Sequence, residues 1–137
     1  MNKIIEVKDL VKYFEISSAH SLKKNYIKAV DGVSFDIFEG ETLGLVGESG
    51  CGKSTVGRLI LGLIKPTSGE IFLEGRNINN ISKKELRKIR KDIQVVFQNP
   101  YSALDPKMTI EDILSEPLSI HKIVYKYDYS KEVKRLL

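Results

Sequence analysis

The chain has 137 residues, 42% hydrophobic and 29% charged, with a formal net charge of +4, which allows one domain at most and is ordinary for a globular protein. No apolar run approaches the roughly 20 residues needed to cross a bilayer. Glu6, Lys8 and Asp9 interrupt any signal-peptide stretch, and the single cysteine, Cys51, excludes an internal disulfide or a cysteine-based zinc site. The chain therefore reads as cytosolic. Much of the positive excess lies in Lys83–Lys91. No aromatic residue interleaves that run as a stacking platform would require, so it reads as a solvated helix face and no nucleic-acid partner is expected.

In chain order, Ile4–Leu10 mixes apolar and polar residues as a strand does, and Ser17–Lys24 is polar and reads as a loop. Val33, Phe35 and Ile37 alternate within Val30–Phe38, which predicts a half-buried strand. After a turn at Glu39-Gly40-Glu41, Thr42–Val46 is almost wholly apolar and predicts a short strand buried on both faces. A glycine-rich loop follows, then an apolar helix from about Lys53 to Ile64, stopped by Pro66, Ser68 and Gly69. Glu70–Leu73 predicts another strand. Ser82 with Glu85 fits a capping box opening a helix to about Lys91. Ile93–Phe97 predicts an apolar strand, and Asn99–Pro106 a turn-rich loop. Thr109 can cap a helix to about Ser115, and Ser130 a last one reaching Leu137. Strands alternating with helices predict an α/β domain.

Residues 47–54 read Gly-Glu-Ser-Gly-Cys-Gly-Lys-Ser, a full match to the P-loop pattern. A loop that wraps a phosphate must turn several backbone N–H groups inward, and Gly47, Gly50 and Gly52 reach the necessary backbone angles without a Cβ penalty. The following helix offers its positive dipole end and free N–H groups. Lys53 can place an ammonium on the β- and γ-phosphates, Ser54 a hydroxyl on Mg²⁺, and Thr55 a contact to the α-phosphate. Gly47, Ser49, Gly50, Cys51, Gly52, Lys53, Ser54 and Thr55 are thus the expected nucleotide-binding set. The strand before and the helix after make the match specific. Cys51 reads either as a small residue in a tolerant position or as a reactive thiol activated by the helix end and Lys53.

The loop does not stand alone. Gly44–Thr55 resembles the Walker A segment of ABC transporter ATP-binding subunits, in the oligopeptide/dipeptide importer branch. Val95-Val-Phe-Gln-Asn-Pro-Tyr-Ser-Ala-Leu-Asp-Pro106 resembles that branch's Q-loop, and Ala29–Ile37, Ser115–Leu118 and the polar insert between Phe14 and Ala29 are similar to it as well. The resemblance covers essentially the whole chain. It implies an incomplete P-loop NTPase fold of the ABC type within 1–137: a β-rich start with an antiparallel subdomain over 1–45, Walker A over 47–55, the Q-loop over 93–106, and a helical region beginning over 107–137. It implies ATP and Mg²⁺ as ligands. Gln98 would be the Q-loop glutamine, touching Mg²⁺ or the attacking water, and with Lys53 would serve catalysis; from its residues alone, Gln98 could equally be a polar residue closing a strand. An aromatic stacking on adenine would be Phe14 by register, with Tyr13 the alternative, and either could simply anchor the strand end to the core. Transmembrane permease subunits would dock at Tyr101–Pro106 and the helix beyond, a second nucleotide-binding subunit would complete a homo- or heterodimer, and a substrate-binding protein would be met only indirectly. The implied location is peripheral, on the cytoplasmic face of the membrane.

The same family needs parts that this sequence does not spell. There is no Leu-Ser-Gly-Gly-Gln signature, no apolar run ending in Asp-Glu after Gln98, and no switch histidine, since His20 and His121 lie in other places and read as surface residues. Val133, Leu136 and Leu137 would share one helical stripe with little to cover them. The expectation is an N-terminal portion of a longer protein that binds nucleotide weakly and does not turn it over. Two other readings remain open: a module that holds ATP without hydrolysis, and a soluble ABC ATPase with no transport role.

Overall fold

The structure, a computed structural model, describes residues 2–16, 24–125 and 128–137, apart from the side chain of Ser102. The chain divides into two compact units, Met1–Leu86 and Arg87–Leu137. The fold is α/β, with an N-terminal antiparallel sheet, as the sequence predicts.

In the first unit, β1 (Lys3–Ile16) and β2 (Asn25–Phe38) form a long antiparallel pair, with β3 (Ser68–Leu73) on the other side of β1 and β4 (Arg76–Asn77) at the edge. Val7 stands opposite Phe35 and also opposite Ile71, so one apolar position of β1 is covered from both neighbours. The pair is longer than the alternation of Val30–Phe38 suggests, because Glu15 and Ile16 find partners in Tyr26 and Asn25. The polar insert is therefore strand at both ends. The expected loop over 17–24 and His20 lie outside the described residues, except Lys24. At Asp9 the ladder slips and the backbone turns to φ 45°. That bulge leaves the Asp9 N–H without a ladder partner, and Ser34 Oγ accepts it at 2.8 Å. β4 is an element the sequence does not announce: its turn runs through Glu74 and Gly75, both at positive φ, the backbone of a two-residue hairpin.

The core of this unit is Val7, Leu10, Val30, Val56, Leu59 and Ile71, all buried. Val56 and Leu59 come from α1 (Lys53–Ile60), three residues apart on one helical face. Each such side chain contributes about 1.5–3 kcal/mol by leaving water. The helix ends earlier than Ile64: Leu61 to Ile64 form turns, with Leu63 N and Ile64 N both donating to Arg58 O.

Two expected strands are not strands. Thr42–Val46 and Ile93–Phe97 have no ladder partner among the described residues. Far from being buried on both faces, Val46 is 93% exposed, and Val96 in the second segment is exposed to the same extent. A doubly buried strand needs a neighbour on each side to take its N–H and C=O groups. Apolar composition alone does not supply one.

α2 (Lys83–Ile89) carries the expected box: Ser82 N and Ser82 Oγ both donate to Glu85, and Glu85 N donates back to Ser82 Oγ. Ile89 is buried and the cations of the run are exposed, which fits a solvated face. In the second unit a short 3-10 turn, Pro100–Ala103, sits inside the expected loop. α3 (Ile110–His121) starts at a complete capping box between Thr109 and Asp112 and runs six residues past Ser115. Pro117 lies within it and forfeits one backbone hydrogen bond without stopping it. His121, its last residue, is half-buried. α4 (Tyr129–Leu136) begins at Asp128, so Ser130 is inside the helix and not its cap. α3 packs on α4, and Leu118 and Val133 are buried. Of the apolar stripe Val133–Leu137, only Val133 is covered; Leu136 and Leu137 are exposed.

Candidate functional site

Residues 47–52 link the exposed Thr42–Val46 segment to the N-terminus of α1. Gly52 is the residue before the helix, at φ 99°, a left-handed conformation. A β-carbon there would also strike the Ala29 carbonyl oxygen. The loop is thus pressed onto the backbone of β2 by a residue that has to be glycine. Gly47 is crowded in its own way, since a β-carbon would stand 2.7 Å from Cys51 Sγ.

The first helical hydrogen bond runs from Val56 N to Gly52 O at 2.9 Å. The amides of Lys53, Ser54 and Thr55 therefore precede the intrahelical ladder and point along the axis. No acidic residue occupies this first turn, which leaves the positive end of the helix uncompensated by its own side chains. Lys53 Nζ folds back over the loop, donating to Gly47 O at 2.7 Å and Glu48 O at 2.6 Å, with Cys51 Sγ at 3.5 Å. Ser54 follows it and is exposed; Cys51 is exposed as well. Beside the loop lies an open cleft of about 300 Å³, lined by Lys28 and Asp31 of β2 on one side and Val46, Cys51, Gly52 and Lys53 on the other. The free amides and the ammonium at a helix start with no acidic residue in its first turn form a receptor for an anion with several oxygens.

The two candidate aromatics are placed differently. The Tyr13 hydroxyl donates to Asp31 Oδ1, and Lys28 Nζ stands 5.2 Å from the Tyr13 ring centroid. Lys28 also pairs with Asp31 at 3.2 Å. The Tyr13 hydroxyl, and then Lys28, hold the Asp31 carboxyl below its ordinary range, while Asp31 raises Lys28. Phe14 is 41% exposed, lies opposite Ile27, and has Lys12 Nζ 5.1 Å from its centroid. Tyr13 is engaged by its own sheet, whereas Phe14 keeps open ring surface. Lys12, Lys28 and Asp31 escape sequence reasoning, because cross-strand register decides which charges reach which ring, and one sequence does not print it.

The structure brings Gly47, Ser49, Gly50, Cys51, Gly52, Lys53, Ser54 and Thr55 together in one turn and helix start. Gln98 belongs to the other unit. It follows the unpaired Ile93–Phe97 segment and precedes the Pro100–Ala103 turn, where Tyr101 is 86% exposed.

A glycine-rich turn closed by a lysine and a hydroxyl residue at the start of a helix defines a P-loop domain. The chain belongs to the ABC transporter family, whose family profile matches residues 30–137. It is 48% identical over 136 residues to the oligopeptide transport ATP-binding protein AppF of Bacillus subtilis, covering 98% of this chain and 41% of that protein. It is 37% identical over 137 residues to the di/tripeptide transport ATP-binding protein DppF of Pseudomonas aeruginosa, covering 100% of this chain and 42% of that one. Among solved structures it is similar to a dimeric post-hydrolysis state of the ATP-binding cassette MJ0796 bound to ADP and Pi, with TM-score 0.79 and 30% identity, over 96% of this chain and 55% of the cassette chain. The chain thus spans about two fifths of the length of these curated relatives. Among the described residues no helix is long and apolar enough to cross a membrane.

Proposed function

We propose that this chain is the ATP-binding portion of an ABC-type ATPase that powers import of oligopeptides or dipeptides. The observation that carries the nucleotide reading is the Lys53 ammonium lying over the Gly47 and Glu48 carbonyls, beside the open amides that begin α1. In the nucleotide-bound form that ammonium exchanges its carbonyl partners for β- and γ-phosphate oxygens. The amides of Gly47 to Gly52, Ser49 and Cys51 included, line the polyphosphate, and Thr55 meets the α-phosphate. Phe14 takes the base and Tyr13 holds the strand beneath it. Ser54 would offer Mg²⁺ a hydroxyl; a metal-binding and catalytic role for Gln98 rests on its likeness to the family's Q-loop glutamine. Among the described residues no cluster of His, Cys, Asp and Glu forms a metal cage. A hard cation here would be held by phosphate oxygens and water with one or two protein ligands, the habit of Mg²⁺.

Peptide transport is supported by the relatives, whose names assign them to oligopeptide and di/tripeptide transport. Permease subunits would dock on Tyr101–Pro106 and α3, placing the protein at the cytoplasmic face of the membrane, and a second nucleotide-binding subunit would pair with it. No Asp-Glu pair closes an apolar run after Gln98, so this chain alone is expected to hold ATP without steady turnover. A phosphate-release assay on the purified chain tests that point: a flat trace is expected, and sustained release abolished by Lys53→Ala would contradict it. Co-purification with membrane permease subunits tests the transport reading, and retention of the protein in the soluble fraction free of any permease would contradict it.

A further inference from the structure

The end of β1 is sewn to the chain that leaves α1. Thr67 N donates to Val11 O at 2.8 Å, and Tyr13 N donates to Thr67 Oγ1 at 3.0 Å. Between them Lys12 Nζ donates to Lys65 O at 2.7 Å. The same ammonium stands 5.1 Å from the centroid of the Phe14 ring. A lysine head on a flexible stem ordinarily swings. Here one of its N–H groups is held by a main-chain oxygen, so the cation stays where the ring can meet it. A cation over one face of a phenyl ring is attracted by the ring's negative π cloud. It also takes that face away from any other partner.

We infer that Lys12 is a positioning residue for the nucleotide base. It clamps one face of Phe14, leaves the other for the base to stack on, and ties that platform to the segment leaving the helix whose first turn cradles the phosphates. The inference rests on Phe14 being the base platform. The geometry then gives Lys12 a role that its charge alone would not suggest. Its ammonium acts on the ring and on Lys65 O, not on the phosphates that Lys53 addresses at the opposite end of α1. Loss of Lys12 should therefore weaken recognition of the base and leave recognition of the phosphates alone.

The test compares the affinity of the whole chain for Mg-ATP with that for inorganic tripolyphosphate, in the native sequence and in Phe14→Ala, Lys12→Met and Lys12→Arg. The ratio of the two affinities isolates the base. Phe14→Ala should lower the ratio about tenfold, within the range of base–aromatic stacking. Lys12→Met should lower it about two- to fivefold, the scale of an exposed cation–ring contact, and Lys12→Arg should restore it. Tripolyphosphate affinity should stay constant throughout. If Phe14→Ala lowers the ratio and Lys12→Met does not, the positioning role is wrong and the base platform stands. If Phe14→Ala leaves the ratio unchanged, the platform is wrong and the inference falls with it. Equal losses for both ligands in Lys12→Met would make Lys12 a general phosphate attractor and overturn the inference. The ligand-free chain offers a second reading by NMR. The Lys12 ε-methylene protons should be shifted upfield by the Phe14 ring current and return to ordinary positions in Phe14→Leu; ordinary shifts in the native chain would overturn the clamp.

Discussion

A β-carbon built on Gly52 would stand 2.1 Å from the carbonyl oxygen of Ala29. That one approach fixes how the phosphate loop rests on the sheet, because backbone cannot yield as a flexible side chain can. Gly52→Ala must both enter a left-handed conformation and push β2 away, and should cost at least about 2 kcal/mol along with most nucleotide affinity. Gly57, five residues on, is helical and meets nothing within 4 Å. Gly57→Ala should instead stabilise by about 0.5–1 kcal/mol through helix propensity. Urea unfolding of the two variants checks the contrast in sign.

Cys51 is exposed, with its sulfur 3.5 Å from Lys53 Nζ and close behind Gly47. A group added to that sulfur would stand where the polyphosphate is proposed to lie. Alkylation by N-ethylmaleimide should abolish Mg-ATP binding, and saturating Mg-ATP should slow the alkylation at least about tenfold if the site is mostly occupied. Mass spectrometry of a time course gives both rates; equal rates with and without nucleotide would place the thiol outside the site.

Asp31 links the strand beneath the proposed base platform to pH. Its carboxyl is held below the ordinary 3.8 by the Tyr13 hydroxyl first and Lys28 second. A carboxyl lowered by folding lends its stabilisation in full above its unfolded value, and loses it as pH falls through the folded one. The chain should therefore weaken below about pH 4 by this route. Tyr13→Phe should bring the Asp31 titration up toward 3.8. Carbon-detected NMR of the carboxyl group follows it directly, and an unchanged midpoint in Tyr13→Phe would remove the hydroxyl as the cause.

The Thr109–Asp112 box starts α3. Thr109→Ala should cost about 1 kcal/mol and Thr109→Ser little, as for other N-caps. Helical circular dichroism against temperature separates them.

Much of this molecule could be read from its residues. The box at Ser82 and Glu85, the alternation at Val33, Phe35 and Ile37, and the lysine-bearing turn after Gly52 are local signals, and the structure forms them locally. What failed was long-range. Thr42–Val46 and Ile93–Phe97 have strand composition, but a strand is a relation between two chains of backbone, and no described segment pairs with either in a ladder. α3 outruns the expected end near Ser115 for a different reason: the cap at Thr109 and the packing of Leu118 outweigh the one hydrogen bond that Pro117 forfeits. That Tyr13 and not Phe14 bonds Asp31 depends on the register, which sets Asp31 within reach of one hydroxyl.

The most direct test is calorimetric titration of the purified chain with Mg-ATP, beside Lys53→Ala. A saturable heat with one nucleotide per chain, lost in Lys53→Ala while the circular dichroism spectrum is kept, is the result expected of an ammonium-closed phosphate loop. Equal binding by both proteins, or no binding by the native chain at millimolar nucleotide, would contradict it.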